Sequence, residues 1–241
     1  MKIILTISAL DPSGGAGANA DIKTAKAIGL HSCSIITALT VQNSYKVSSV
    51  YPVPSELIKE QLMALLEDFN ISAVKIGVIP NLEIAKTVSD CIKKLKCPKV
   101  LDPVLEASVG GKLGDRSAYE ILMPEVSVTT PNYTEAKFFG SKIDPEELAL
   151  ELFNKYGCSV VITGGELKGK DVVCEKGRIY SVEAELIKDS FHGTGCVYST
   201  ALACYLSMGD LEFAVRKARI FVLESVKKGQ RVGKGRLFVN P

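Results

Sequence analysis

The sequence predicts an α/β fold: a largely parallel sheet with helices on both faces. Short apolar runs at 2–8, 33–41, 72–79, 98–104, 126–130 and 158–163 alternate with helical periodicity at about 18–29, 55–69, 81–96, 115–123, 144–156, 194–208 and 210–228. A strand followed by a helix, repeated along a chain, favours parallel ladders buried on both faces. The glycine-rich segment Asp11-Pro12-Ser13-Gly14-Gly15-Ala16-Gly17 follows the first run directly, which is where such a sheet gathers its ligands.

Each element has a local reason. KIILTIS is a strand-like, largely apolar run, as expected for a strand covered on both sides. Ser55-Glu56-Leu57-Ile58 opens a helix after Pro52 and Pro54, and its apolar face continues through Leu62, Leu65, Leu66 and Phe69. Asp144-Pro145-Glu146-Glu147 reads as an N-cap, a proline at the first helical position and an acidic first turn. The interval 170–188 breaks the alternation: DVVC and RIYSV flank Glu175-Lys176-Gly177, predicting a small antiparallel hairpin at the sheet edge. With 241 residues, 46% of them hydrophobic, and no repeat or linker, the expectation is a single domain over 1–241.

Composition excludes several classes. Against 27 acidic side chains stand 29 basic ones, and a net charge of +2 gives no general attraction to nucleic acid or acidic membranes. Tryptophan is absent, which weakens any base-stacking role. No window approaches 18 uninterrupted apolar residues, and the N-terminus enters a strand without a signal-peptide pattern. Seven cysteines without a CxxC pair read as free thiols in a reducing compartment, and two histidines, His31 and His192, make a structural zinc site improbable. The expectation is a cytoplasmic protein with neither nucleic acid nor membrane as partner.

Several segments are suited to chemistry. In Asp11–Gly17 the glycines allow close ligand approach, although neither the dinucleotide spacing nor a Walker loop is present; a plain tight connection is the alternative. Gly164-Gly165-Glu166-Leu167-Lys168-Gly169-Lys170-Asp171 resembles a P-loop only superficially, since Asp stands where a hydroxyl must be and a strand follows; Lys168 and Lys170 read as solvated charges. Asp189-Ser190-Phe191-His192-Gly193-Thr194-Gly195-Cys196 opens an apolar helix, so free N–H groups and the positive end of the dipole make an anion site. Cys196 falls in that first turn, where the same field would lower a thiol pKa; simple core packing is the alternative. His192 and Cys196 raise a Cys–His hydrolase reading, but no orienting third group is identifiable, and His192 is expected to serve the turn backbone.

Acids stand at two more strand ends, Asp102 in LDPV and Glu135 in TTPNYTE. Asp102, Asn132 and Glu135 offer hard oxygens suited to hydrated magnesium, while each alone also suits a helix cap. Gln42, after SIITALTV, carries an amide that both donates and accepts, as a heterocycle edge requires.

Read in order, DPSGGAGANADIKT, ITALTVQNS, VKIGV, VLDPV, TPNYTEAK, VVITGG, FHGTGC and the late VGKG resemble the ribokinase-like superfamily, and more closely the hydroxymethylpyrimidine/phosphomethylpyrimidine kinases of thiamine biosynthesis. The resemblance implies a three-layer sandwich, ATP and Mg²⁺ as cofactors, a small pyrimidine substrate and a homodimer. It assigns Gly193, Thr194 and Gly195 to the anion hole and Cys196 to the base for the substrate hydroxyl. Gln42, Ala9, Asp11, Ala16, Val78 and Val104 fall to the substrate, Asn132, Thr163, Gly165, Gly193 and Gly195 to the nucleotide, and Asp102 and Glu135 to the metal. The chain departs from the family at Ala9 (commonly glycine), at Val78 (commonly methionine) and at Thr163-Gly164-Gly165-Glu166 (commonly KGGH), where a phosphate-facing lysine is missing. A pyridoxine or pyridoxal kinase is the nearest rival, and a non-catalytic pyrimidine-binding module is the rival of another class.

Overall fold

The computed structural model describes residues 1–183, 185 and 191–241. Its central sheet has nine strands in the order β3-β2-β1-β4-β5-β6-β7-β8-β9. They are β1 (Ile3–Leu10), β2 (His31–Gln42), β3 (Val47–Pro52), β4 (Ala73–Ile76), β5 (Lys99–Leu101), β6 (Val128–Thr129), β7 (Ser159–Ile162), β8 (Lys170–Glu175) and β9 (Arg178–Glu183). The six strands from β2 to β7 in that order pair in parallel, β3 joins antiparallel at one edge, and β8 and β9 join antiparallel at the other. The three-layer α/β sandwich is thus the observed architecture.

Because side chains alternate across a strand, each strand feeds both layers. Leu5, Ile7, Val74, Ile76, Leu101, Val160 and Ile162 face one core, closed by α2 (Ser55–Asp68), α3 (Leu82–Ile92), α4 (Arg116–Leu122), α5 (Tyr133–Phe139) and α6 (Pro145–Tyr156). Ile4, Ala73, Val100, Val128 and Val161 face the other, under α1 (Gly17–Ile28), α7 (Thr194–Leu206) and α8 (Leu211–Lys227). From Val197 to Cys204 every residue of α7 is buried, the mark of a helix enclosed on all sides rather than an amphipathic one.

The expected hairpin is present: Glu175 pairs with Arg178 across Lys176 (φ 51°) and Gly177 (φ 80°), the two left-handed residues that a two-residue turn between twisted strands requires. Of the expected 170–188 interval, residue 184 and residues 186–188 lie outside the described residues, as do Asp189 and Ser190. Asp144 caps α6 by accepting from the amides of Glu146 and Glu147, with Pro145 in the first turn. The helix expected over 81–96 ends at Ile92, ahead of Pro98, which biases the residue before it toward extended backbone. β3 and α5 lie outside the expected element ranges. β3 is half-exposed and lacks an apolar run, and α5, with 7 residues, is too short to show a period.

Two further strands, β10 (Phe191–His192) and β11 (Leu237–Phe238), pair in parallel outside the main sheet and fix the approach to α7. Asp11, Val78, Asp102, Asn132 and Thr163 each follow a parallel strand within three residues, and Gln42 ends β2. They therefore share the carboxyl edge of the sheet, beside β1, where the chain order runs outward in both directions.

Candidate active site

At that edge lies a cavity of about 200 Å³. Its lining includes every residue the resemblance assigned to a site except Gly165. Gly165 is exposed in the turn between β7 and β8, and a Cβ there would meet nothing within 4 Å.

The two glycine turns are built against each other. Asp11 organises the first: its carboxylate accepts from the amides of Ser13 (2.8 Å) and Ala16 (3.0 Å), while its carbonyl accepts from the Asn19 side chain (2.8 Å). Gly17 (φ 55°) passes so close to β1 that a Cβ would lie 2.3 Å from the Ala9 carbonyl oxygen. Gly193 (φ 90°) caps α7, and a Cβ there would fall 1.9 Å from the Gly15 carbonyl oxygen. Gly195 differs: it is exposed to the cavity, and its nearest neighbour for an added Cβ is an Asp102 carboxylate oxygen at 4.0 Å. Open space over the first turn of a 13-residue helix, with its N–H groups unpaired along the helix, suits a phosphate.

The floor is charged. Asp102 is buried and accepts from Ser199 Oγ of α7 at 3.0 Å. Beneath it Lys75 and Asp21 form an ion pair. Burial pushes the Cys196 thiol up to about 12, and the carboxylates of Asp102 and Asp21 add to this; Lys75 and the Gly17 amide oppose it without prevailing. The helix field therefore does not yield the lowered thiol that the position alone suggests. Desolvation beside two carboxylates raises the thiol instead.

Asn132 and Glu135 form a capping box at α5: Glu135 N–H donates to Asn132 Oδ1 (2.7 Å), and Asn132 N–H donates to Glu135 Oε2 (2.9 Å). The Asn132 oxygen is thus committed to the cap. Glu135 remains half-buried near Asp102, and burial followed by the Asp102 charge raises its pKa to about 8. Among the described residues, no three His, Cys, Asp or Glu side chains group as a closed metal cage. Magnesium usually takes one or two carboxylates and keeps water and phosphate oxygens for the rest, so a close carboxylate pair that resists ionisation fits that ion.

Thr163, expected at the nucleotide, lines the cavity, and its amide donates to the Pro131 carbonyl at 2.9 Å. Glu166, at the last position of the Thr163–Glu166 departure, accepts from the Thr134 amide (2.7 Å) and hydroxyl (3.0 Å), tying this turn to α5. Asp171 accepts from the Gly164 amide at 2.6 Å, a structural use of the residue that spoils the P-loop pattern. The Lys170 side chain is solvent-exposed, as expected, and pairs at the surface with Glu146 at 3.1 Å.

On the opposite wall Ala9, Ala38 and Val78 form a small apolar cluster with Val104 and Leu113 packed on it. Gln42 closes this end. His192 does more than serve the turn backbone, contrary to expectation: its buried imidazole lies within hydrogen-bond distance of Asp11, Gln42 and Ser108. Sequence reasoning also missed Lys75, Asp21, Ser108 and Thr130 near the site. Lys75 had one available signal, a charge inside a strand otherwise read as buried.

A family model for phosphomethylpyrimidine kinase matches residues 11–240. The hydroxymethylpyrimidine/phosphomethylpyrimidine kinase of Aquifex aeolicus is 40% identical over 97% of both chains. A phosphomethylpyrimidine kinase from Clostridium difficile has a TM-score of 0.81 at 32% identity, covering 94% of this chain and 100% of that one. An ADP complex of Bacillus subtilis pyridoxal kinase has a TM-score of 0.88 at 27% identity, covering 100% of this chain and 97% of the other. With a family model spanning nearly the whole chain and a relative of this identity along its full length, the protein belongs to the phosphomethylpyrimidine kinase family.

Proposed function

We propose that the protein transfers phosphoryl groups from ATP to the hydroxymethyl group of 4-amino-5-hydroxymethyl-2-methylpyrimidine, and then to the resulting monophosphate, in thiamine biosynthesis. The observation that carries this reading is one cavity holding two ends of different chemistry. The open first turn of α7 at Gly195 suits phosphate, and Gln42 beside the Ala9–Val78 wall suits a small polar heterocycle. Phosphoryl transfer needs mainly positioning and stabilisation of developing charge, which preorganised N–H groups supply without reorganisation.

In this reading Thr194, Gly195 and Cys196 present backbone amides to the transferring group, and Gly193 gives the close turn behind them. Thr163 and Asn132 border the nucleotide. Asp102 and Glu135 would hold Mg²⁺, which when bound supplies charge neutralisation to the phosphates. Cys196 is assigned to the acceptor hydroxyl, whose proton it takes up in its thiolate form to become the thiol. Chain 1–241 acts as one kinase domain in the cytoplasm, and among the described residues no helix is long and apolar enough to cross a membrane. A homodimer is the expected assembly, with exposed Leu39, Val41, Tyr45 and Tyr51 on the β2–β3 ribbon as its apolar face.

One rival has a specific observation behind it, the pyridoxal kinase superposition over the full chain. A coupled ADP-release assay with the hydroxymethylpyrimidine, its phosphate, pyridoxine and pyridoxal separates the readings. The pyrimidine and its phosphate are expected to be the preferred acceptors. Preference for pyridoxal would move the assignment to the rival, and no turnover with any of the four would leave a binding module.

A further inference from the structure

We infer that His192 is a positioning residue that locks the Gln42 side-chain amide in one of its two orientations, and so sets which edge of a heterocycle this pocket accepts. The inference rests on the proposed pyrimidine site but uses a separate part of it, the imidazole that joins four segments of the chain.

The donor at the centre follows by elimination. His192 Nε2 is 2.8 Å from Asp11 Oδ2. Burial alone would raise the Asp11 pKa, but hydrogen bonds from His192 and Ser13 outweigh it and hold the carboxyl below its ordinary value. An ionised carboxylate only accepts, so Nε2 carries a proton whether the ring is neutral or charged. Ser108 Oγ, 3.0 Å from Nδ1, then donates to a neutral ring or accepts from a charged one.

Gln42 is caught in the same logic. The amide atom nearest Nε2 lies 3.1 Å away, and the other amide atom lies 3.3 Å from Thr40 Oγ1. An amide NH₂ pointed at an N–H would set donor against donor. The amide oxygen therefore belongs beside His192, as a second acceptor for Nε2–H, with the NH₂ turned toward Thr40. The other end agrees: Thr40 Oγ1 donates to the Leu10 carbonyl at 2.9 Å, which leaves its lone pairs to accept from the Gln42 NH₂. Locked this way, Gln42 keeps one N–H and one oxygen lone pair for a ligand. That pair complements a ring nitrogen beside an exocyclic amino group, and it mismatches the same ring carrying an oxo group and a ring N–H.

The ring that imposes this has little freedom. Its burial is nearly complete, a Cβ on Gly15 would meet its edge at 2.5 Å, and Phe238 of β11 packs on it with ring centroids 5.5 Å apart. The β10–β11 pairing sets the backbone of His192 itself. Thus Gly15 and the C-terminal strand act on substrate choice through one imidazole.

The test compares the 4-amino and 4-oxo forms of 5-hydroxymethyl-2-methylpyrimidine as acceptors in wild type, His192→Leu and His192→Gln. His192→Leu removes the donor and frees the amide to turn. The ratio of kcat/KM for the amino over the oxo compound is expected to fall by about tenfold or more, the size of one buried hydrogen-bond mismatch. The KM for ATP should stay within about twofold of wild type, since only the heterocycle end is disturbed. His192→Gln keeps an N–H donor where Nε2 was and should restore most of the ratio. An unchanged ratio in a folded His192→Leu protein, or equal loss toward both acceptors and ATP, overturns the inference. Nitrogen-15 NMR of wild type and of His31→Gln, which leaves a single imidazole, gives a reading that needs no variant at 192. A proton-bearing Nε2 is expected, and a pyridine-type Nε2 overturns the lock. Should wild type phosphorylate neither pyrimidine, the substrate proposal fails, and the imidazole spectrum alone decides this inference.

Discussion

Lys75 Nζ lies 2.9 Å from Asp21 Oδ1 and 3.0 Å from Oδ2, and neither side chain reaches solvent. Thr200 of α7 donates to the same carboxylate at 2.7 Å. Burial by itself would lower the lysine pKa, but the charge and hydrogen bond of Asp21, with the charge of Asp102 added, hold it above the ordinary lysine value. A fixed positive charge thus sits beneath Asp102 and Cys196, tying β4, α1 and α7 together under the cavity floor.

Breaking this pair from one side should be costly. Asp21→Asn leaves a buried ammonium without its counter-charge, and about 3–5 kcal/mol of stability should be lost. The double variant Lys75→Met with Asp21→Leu removes both charges and should lose much less, because neither desolvated ion remains. Urea unfolding of the three proteins checks the order. A single variant more stable than the double would show that packing, rather than the charge, dominates there.

Two glycines of one turn should respond in opposite ways. Gly195→Val places a branched side chain in open cavity space, where the nearest atom to its Cβ is Asp102 Oδ2 at 4.0 Å. The fold should persist with near-normal Tm while turnover collapses. Gly193→Ala has both a left-handed φ of 90° and a carbonyl 1.9 Å from its Cβ, so it should destabilise the protein as well. Thermal melts run alongside the ADP-release assay separate the two effects. Full activity in a folded Gly195→Val protein overturns the phosphate assignment.

The reach of the sequence follows the length scale of each feature. β1 and α7 are long and largely apolar, so their runs are readable directly, and the parallel order places Asp11, Asp102 and Thr163 at one edge without any coordinates. β3 escaped because it is half-exposed and held in place by pairing with β2 instead of by an apolar run of its own. The sequence left two readings of Cys196 open because the helix dipole is visible in it while the burial beside Asp21 and Asp102, 175 and 94 positions away in the chain, is not. The role of His192 needed Asp11, 181 residues distant, to meet its ring. Side-chain chemistry that depends on such long-range meetings leaves no periodic trace.

Glu135 gives a prediction with a definite sign. Its pKa, raised to about 8 by burial and then by Asp102, exceeds the ordinary value of 4.5, so the folded protein binds this proton more tightly than the unfolded chain does. The stabilisation is complete below about 4.5 and is lost as the pH rises through about 8. Glu135→Gln keeps a neutral, hydrogen-bonding side chain at every pH. Its stability relative to wild type should therefore climb from near zero at pH 5 to on the order of 1–3 kcal/mol at pH 9, allowing for partial hydration from the cavity. Urea unfolding across that range is the measurement, and a difference independent of pH would remove Glu135 as the titrating group.

Cys196 separates the two proposed phosphorylations. The first acceptor is a neutral primary alcohol whose proton must leave during transfer, and the second is a phosphate oxygen already largely ionised at neutral pH, its second pKa being about 6. Only the first step has a use for a proton acceptor. A positioned base is worth about 10²–10⁴-fold, and a loose transition state needs it less. The thiol at about 12 lowers the expectation further, since little thiolate is present at neutral pH before substrates bind. Cys196→Ala should therefore slow phosphorylation of the hydroxymethylpyrimidine by about tenfold to a hundredfold, at the low end of general-base effects. The monophosphate should be phosphorylated at close to the wild-type rate, because the amides of α7 survive the substitution. Initial rates with each acceptor at saturating Mg²⁺ and ATP decide the matter. Equal losses in both steps would place Cys196 with the shared phosphoryl donor or with folding, and its role toward the acceptor hydroxyl would be wrong.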